Sequence, residues 1–190
     1  AFKNAVAPEQ NITYADVDGH IGFFAPATVP IRAQGDGTAP VPGWTGENEW
    51  TGTVPFDALP QGFDPPSGRF VAANNKIVSD SYPYMITKHW ELPYRAQRIT
   101  ELLDATPIQT PDTAAAMQAD IDSIASRQLL PLMLNATPQS AGGKDALRRL
   151  RAWDQNMSRD NVEPLRCIAW RREFNRQILA DKLGPLFDNF

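Results

Sequence analysis

Two patterns follow one another along the chain. From Asn11 to Phe24 the sequence runs Asn-Ile-Thr-Tyr-Ala-Asp-Val-Asp-Gly-His-Ile-Gly-Phe-Phe, with β-forming residues on both sides of Asp18-Gly19. An Asp-Gly pair between β-formers predicts a hairpin, because its residues accept the positive φ that a tight turn requires. Residues 26–68 sustain no period and read as almost all turn. Trp44, Trp50 and Phe56 punctuate this stretch and are expected to anchor it to a core. Arg69-Phe70-Val71-Ala72-Ala73 predicts a buried strand that stops at Asn74-Asn75. The opening residues, Ala1 to Pro8, read as the last turns of a helix.

Beyond residue 88 the apolar positions recur at helical spacing. One helix is predicted from Tyr94 to Asp104. A second starts at Thr110-Pro111-Asp112, where Thr110 caps, Pro111 fits the first turn and Asp112 complements the dipole. It carries Met117, Ile121 and Ile124 and ends or kinks at Pro131. Further helices are predicted over Lys144 to Trp153 and over Val162 to Lys182. The last has Leu165, Ile168, Ala169, Ile178 and Leu179 on its inner side and is stopped by Gly184-Pro185.

Composition sharpens this division. The chain has 190 residues, 12 glycines and 17 prolines, and its proline share is nearly twice the usual value of about 5%. Residues 1–88 hold 9 of the glycines and 10 of the prolines. All of the net charge of -4 falls there too, since residues 89–190 carry 13 basic and 13 acidic side chains. A hydrophobic content of 42% allows a substantial core and argues against intrinsic disorder. No apolar run reaches the length of about 18 residues that a membrane helix needs. The mild acidity speaks against a general phosphate-backbone binder. A single cysteine, Cys167, excludes an internal disulfide and a multi-cysteine zinc site.

Candidate chemistry is sparse. The chain has no phosphate-binding loop, no G-x-G-x-x-G, no G-x-S-x-G and no H-E-x-x-H. His20, just past the hairpin turn, and His89, beside Trp90, are expected to be solvated. Asp16 and Asp18 alternate along a strand, where paired carboxylates can do acid–base work. The simpler reading makes Asp18 the turn residue and Asp16 a local hydrogen bonder. Cys167 is expected to be a buried, inert thiol. The arginines at 148, 149, 151, 171 and 172 are expected to form a solvated face rather than a nucleic-acid stripe. Asn74-Asn75 directly follows an apolar segment and has two readings. It is a turn, or it holds a side-chain amide fixed as a donor for a developing oxyanion.

Several strings lie in register with one known family. Asn11 to Phe24 resembles a segment that reads roughly N-x-x-Y-A-D-x-x-G-N-I-G-Y in the penicillin amidase (penicillin acylase) family. The resemblance continues through Pro40-Val41-Pro42-Gly43, Trp50-Thr51-Gly52, Pro55-Phe56, Leu59-Pro60, Pro66-x-Gly68, Ala73-Asn74-Asn75 and Tyr82-Pro83. It then takes in Tyr94-Arg95-Ala96-x-Arg98-Ile99, Trp153-Asp154-x-x-Met157-x-x-Asp160-x-x-Glu163-Pro164-Leu165 and Leu183-Gly184. It covers nearly the whole chain.

The resemblance implies an α+β fold: a fragment of the αββα sandwich of N-terminal nucleophile hydrolases. Residues 1–88 would form its β-hairpin and loop-rich part and residues 89–190 its helical part. It implies an acylase that hydrolyses a linear amide, as in penicillins or acyl-homoserine lactones, with an N-terminal serine as nucleophile and its α-amine as base. Asn74 falls on the family's oxyanion-hole asparagine, and Arg98 on its active-site arginine. Gln10 stands where penicillin G acylases carry an apolar residue of the acyl pocket. Ala73 replaces a tryptophan beside the oxyanion hole.

No metal ligand is assigned and no cofactor is expected in this segment. Calcium is an expectation for the intact enzyme, whose family sites draw on the loop around Gly35-Asp36-Gly37 and on an aspartate near Tyr82-Pro83, where only Asp80 is available. The chain begins with Ala1 and ends at Phe190, so the resemblance implies an internal fragment of the large subunit. The expected partners are the rest of that subunit, the small subunit of the same precursor and a small-molecule amide substrate, with no nucleic acid and no membrane. Self-association of the fragment and a periplasmic or secreted location are further expectations. The alternative for the chain alone is a non-catalytic structural module. A carbohydrate-binding β module using Trp44 and Trp50 would leave the helical half unexplained.

Overall fold

The structure, a computed structural model, describes residues 9–189. The helix end expected over Ala1 to Pro8 lies outside the described residues. The expected hairpin is present. β1 (Ile12–Ala15) pairs antiparallel with β2 (Ile21–Phe24), and Ala15 stands opposite Ile21. The connection is therefore longer than a two-residue Asp-Gly turn. Asp16 organises it: its Oδ1 accepts from the backbone N–H of Asp18 at 3.0 Å and of His20 at 2.9 Å. Gly19 supplies the left-handed residue at φ +90°. Asp16, the local hydrogen bonder of the sequence reading, thus sets the turn.

Residues 26–68 contain more regular structure than their composition suggests. β3 (Pro30–Arg32) pairs with β4 (Trp50–Thr53), and β5 (Gln61–Phe63) joins the hairpin to make a sheet in the order β1-β2-β5. These strands are short and rich in proline and glycine, so they carry no readable alternation. Arg69 to Ala73, predicted as a buried strand, forms no regular strand. Phe70 from this segment covers the sheet, stacking on Phe23 at 5.7 Å. The close approach needs Gly62, where an added Cβ would meet the Phe70 ring at 2.7 Å.

The chain divides into two compact units, Ala1–Ala96 and Gln97–Phe190. The core of the first is Val29, Val54 and Leu59, with Phe24, Ile31, Phe56 and Tyr84 packed around them. Phe56 anchors its loop as expected. Trp44 and Trp50 do not, being 89% and 59% exposed. Trp50 carries the Arg32 guanidinium over its ring at 5.9 Å instead.

The second unit is helical. α1 (Tyr94–Ala105) straddles the division and is followed by α2 (Pro111–Gln118), α3 (Ile124–Met133), α4 (Ala141–Ala152) and α5 (Glu163–Leu183). Thr110 caps α2 as predicted, within a reciprocal box with Thr113. The single helix expected from Thr110 to Pro131 is two helices. Asp120, Asp122 and Ser123 interrupt it: Ser123 caps α3, and Asp122 forms a β-bridge with Asn156. Polar side chains that bond nearby backbone favour caps over helix interiors, which explains the break. Pro131 sits inside α3, two residues before its end.

Leu130, Met133, Leu150, Trp153 and Cys167 form the second core. Cys167 is buried as expected, with its thiol 3.8 Å from Met133 Sδ. The inner face of α5 is Pro164, Cys167 and the half-buried Trp170, an i, i+3 row. Leu165, Ile168 and Ile178, predicted to face inward, are 68%, 42% and 47% exposed.

Candidate functional site

The segment whose Phe70 covers the first sheet ends in a sharp turn at Asn74, at φ +62°. Asparagine tolerates this left-handed conformation better than other non-glycine residues. Three groups hold the turn. Asn75 Oδ1 accepts from the Ala73 N–H at 2.9 Å, and the Asn74 carbonyl accepts from the Glu91 N–H at 2.9 Å. Arg95, in the first turn of α1, donates from Nη2 to the Ala73 carbonyl and to Asn74 Oδ1, both at 2.8 Å.

Asn74 lines a cavity of about 240 Å³ in the first unit. Gln10 lines the same cavity, with His89 on its polar side and Val29, Leu59 and Ile77 among its apolar walls. An apolar recess with a few convergent polar groups is the usual form of a small-molecule site. The structure thus brings together two sequence-predicted residues, Gln10 and Asn74. Ala73 is 8% exposed and acts here through its backbone groups rather than its methyl.

Arg98 belongs to the second unit, where it is the centre of an ion-pair network. Its Nε and Nη2 grip the two oxygens of Asp120 at 2.8 and 2.7 Å, and Nη1 reaches Glu101 at 2.9 Å. Arg127 shares Glu101 at 2.6 Å and faces Asp122 at 3.0 Å. The guanidinium hydrogen bonds hold Asp120 and Glu101 below the usual carboxylate range, and those carboxylates raise the pKa of Arg98.

His20 is not simply solvated. Its Nδ1 lies 2.6 Å from Asp64 Oδ2 and its ring stacks on Phe63. The Ile21 N–H and then His20 hold Asp64 below its ordinary value. The carboxylates considered for calcium have partners within the protein. Asp36 faces the Lys88 ammonium at 2.9 Å and also binds Thr38, and Asp80 pairs with Lys76. Among the described residues no group of three or more His, Cys, Asp or Glu side chains comes together.

Sequence reasoning missed Arg95 and the place of His89. Arg95 stood in the quoted Tyr94-Arg95-Ala96-x-Arg98 string, but nothing in its spacing distinguishes a guanidinium that turns back onto Asn74 from one in solvent.

The penicillin amidase family model matches residues 1–190. The chain belongs to the penicillin amidase family. Penicillin acylase 2 proenzyme of Pseudomonas sp. strain SE83 is 38% identical over 173 residues, which cover 90% of this chain and 22% of that protein. Acyl-homoserine lactone acylase QuiP of Pseudomonas aeruginosa is 31% identical, covering 97% of this chain and 23% of its own length. A thermostable penicillin G acylase from Alcaligenes faecalis has a similar structure, with a TM-score of 0.62 at 29% identity over 82% of this chain and 29% of that one. This penicillin amidase chain therefore spans about a fifth of the length of the curated relatives it matches. Among the described residues its architecture is mixed α/β, with small sheets and five α-helices, and it is similar to that of the penicillin G acylase.

Proposed function

We propose that this chain is an internal segment of the large subunit of an acylase that hydrolyses a linear amide, and that Asn74 is a donor of its oxyanion hole. The observation that carries the reading is the placement of Asn74: a left-handed turn, clamped from both sides, on the wall of a cavity it shares with Gln10. The relatives are penicillin and acyl-homoserine lactone acylases, and one bears the name of a proenzyme, which supports a precursor cut into two subunits.

In this reading the nucleophile is an N-terminal serine contributed by another part of the precursor. Its Oγ adds to the amide carbon while its α-amine takes the hydroxyl proton, and the carbonyl π electrons move to oxygen. Asn74 Nδ2 donates to that oxygen. Collapse of the intermediate expels the amine with the proton, leaving an acyl ester that water cleaves by the same route. Gln10 places an amide in the acyl pocket and favours an acyl group with polar character over a purely apolar one. Ala73 leaves the space beside Asn74 unfilled by an aromatic ring. Arg98 is taken as the active-site arginine on the resemblance; its own partners are Asp120 and Glu101.

The segment completes an αββα sandwich with the remaining subunit parts. Calcium is kept for the intact enzyme, and no ligand is assigned here; Asp36 and Asp80 each face a lysine. A periplasmic or secreted location rests on the resemblance alone. No helix among the described residues is long and apolar enough to cross a membrane.

A panel of N-acyl amides, penicillins and acyl-homoserine lactones assayed with the processed parent protein tests the reading. Release of free acid from at least one supports it, and a fully processed protein inert on the whole panel contradicts it. The second reading, a non-catalytic module, applies to the 190 residues alone. The exposed Leu165, Ile168 and Ile178 on α5 favour it, because apolar side chains left in water invite association.

A further inference from the structure

At about 240 Å³ the cavity beside Asn74 falls below the roughly 300–1,000 Å³ usual for a drug-sized ligand. It has room for one side of an amide substrate, and the other side needs a place of its own. A second cavity, of about 660 Å³, lies in the same unit. The two share Leu59, Pro60 and Ile77 as walls, and the turn divides them: Asn74 lines the first, whereas Asn75 and Lys76 line the second. We propose that this second cavity is the subsite for the leaving amine, and that Lys76 selects amines that carry a carboxylate. The proposal rests on the reading of Asn74 as an oxyanion donor and of Gln10 as part of the acyl pocket.

Three observations carry it. The first is the make-up of the cavity. Phe23 and Phe70, stacked at 5.7 Å, give it an aromatic side suited to the apolar body of an amine. Lys76, Ser79 and Ser81 also line it, and each of the three can donate to an anion.

The second is which donors are already engaged. Asn75 is used at both ends, since its Oδ1 accepts from the Ala73 N–H and its Nδ2 donates to the Lys76 carbonyl at 3.1 Å. Tyr82 donates its hydroxyl to the Ala58 carbonyl at 2.9 Å. The Ser79 and Ser81 hydroxyls lie 2.8 Å apart. Only one of them donates in that bond, so the other keeps a hydrogen for a ligand. Lys76 pairs with Asp80, whose side chain is 97% exposed. An ammonium has three donors, and so exposed an ion pair is weak enough to be shared with a ligand carboxylate.

The third is position. Lys76 stands two residues after Asn74, on the turn braced by Asn75 and Glu91. The Tyr82 N–H donates to the Ser79 carbonyl at 3.1 Å and closes the turn that carries the two serines. The cation and the oxyanion donor are thus held by one short stretch of chain.

The test uses the processed parent protein and two anilides with the same acyl group, one with a carboxylate on the aniline ring and one without. Lys76→Met should raise the KM of the carboxylated anilide relative to the uncharged one by about tenfold, the size of one charge-assisted hydrogen bond reduced by solvent. Lys76→Arg should keep most of the parental ratio. Equilibrium binding of aminobenzoate and of aniline gives a readout that needs no turnover. The parent should bind aminobenzoate more tightly, and Lys76→Met should lose most of that preference.

A KM ratio left unchanged by Lys76→Met, or equal binding of the two amines by the parent, would overturn the proposal. If Lys76→Met is not processed, or the parent cleaves neither anilide, binding to the parent decides. Tighter binding of aminobenzoate that weakens with added salt supports the proposal, and any other result overturns it. The two readings fail separately. An unaffected Asn74→Ala enzyme removes the oxyanion assignment, whereas a crippled Asn74→Ala enzyme beside an unchanged Lys76→Met ratio removes only the amine subsite.

Discussion

Asn74 shows how a short motif can hold two meanings at once. A turn and a site residue are alternatives on paper, yet they need not exclude one another: the backbone of Asn74 makes the left-handed turn, and the residue lines the cavity. Spacing alone left Asn74 between a turn and an amide donor, and only the family string Ala73-Asn74-Asn75 singled it out. Arg95 was not legible, since a guanidinium's partner depends on where α1 starts relative to a loop some twenty residues earlier. Gln10 supports a prediction at this scale. Gln10→Leu makes the cavity wall apolar and should shift kcat/KM toward an apolar acyl chain over a polar one of equal length by about tenfold, within the range a single pocket contact supplies. Paired-substrate kinetics check it, and an unchanged ratio would remove Gln10 from the acyl pocket.

At the scale of elements, the sequence was most informative where local chemistry decides. Thr110-Pro111-Asp112 opens a capped helix, and Gly184, at φ +52°, ends α5. It was least informative for β3, β4 and β5, three or four residues each, whose pairing depends on distant partners rather than on alternation. The inner face of α5 was misread for a related reason. Its apolar residues are spread around the helix, so periodicity does not choose between the 164-167-170 row and the exposed residues beside it.

The Arg98 network ties α1 to the Asp120–Ser123 break and gives a pH prediction. Asp120 is held below its ordinary value chiefly by the Arg98 hydrogen bonds, so folding favours its ionised form. Its contribution is complete above the unfolded pKa of about 3.9 and is lost as the pH falls through the lower folded value. Asp120→Asn should therefore weaken hydrogen-exchange protection in α1 and α3 at neutral pH, and the gap from the parent should narrow near pH 3. A gap that is unchanged at low pH would assign the effect to packing rather than charge.

For the whole molecule, the change in glycine, proline and charge content near residue 88 reads as a loop-and-strand part followed by a helical part. The two compact units, Ala1–Ala96 and Gln97–Phe190, have those characters. What composition did not convey is how many apolar side chains remain on the surface, among them Leu165, Ile168, Phe174 and Ile178 on one helix. The account predicts that the 190 residues alone turn over no acyl amide and self-associate, as seen by sedimentation at rising concentration. Turnover by the pure chain, or a strict monomer, would contradict the corresponding half of that prediction.

The most direct test of the central claim is kcat for amide hydrolysis by the processed parent protein and its Asn74→Ala variant. The account predicts a loss of about 10²- to 10³-fold in kcat with the protein still processed and folded, as for removal of one oxyanion donor elsewhere. A variant that retains parental kcat would contradict it.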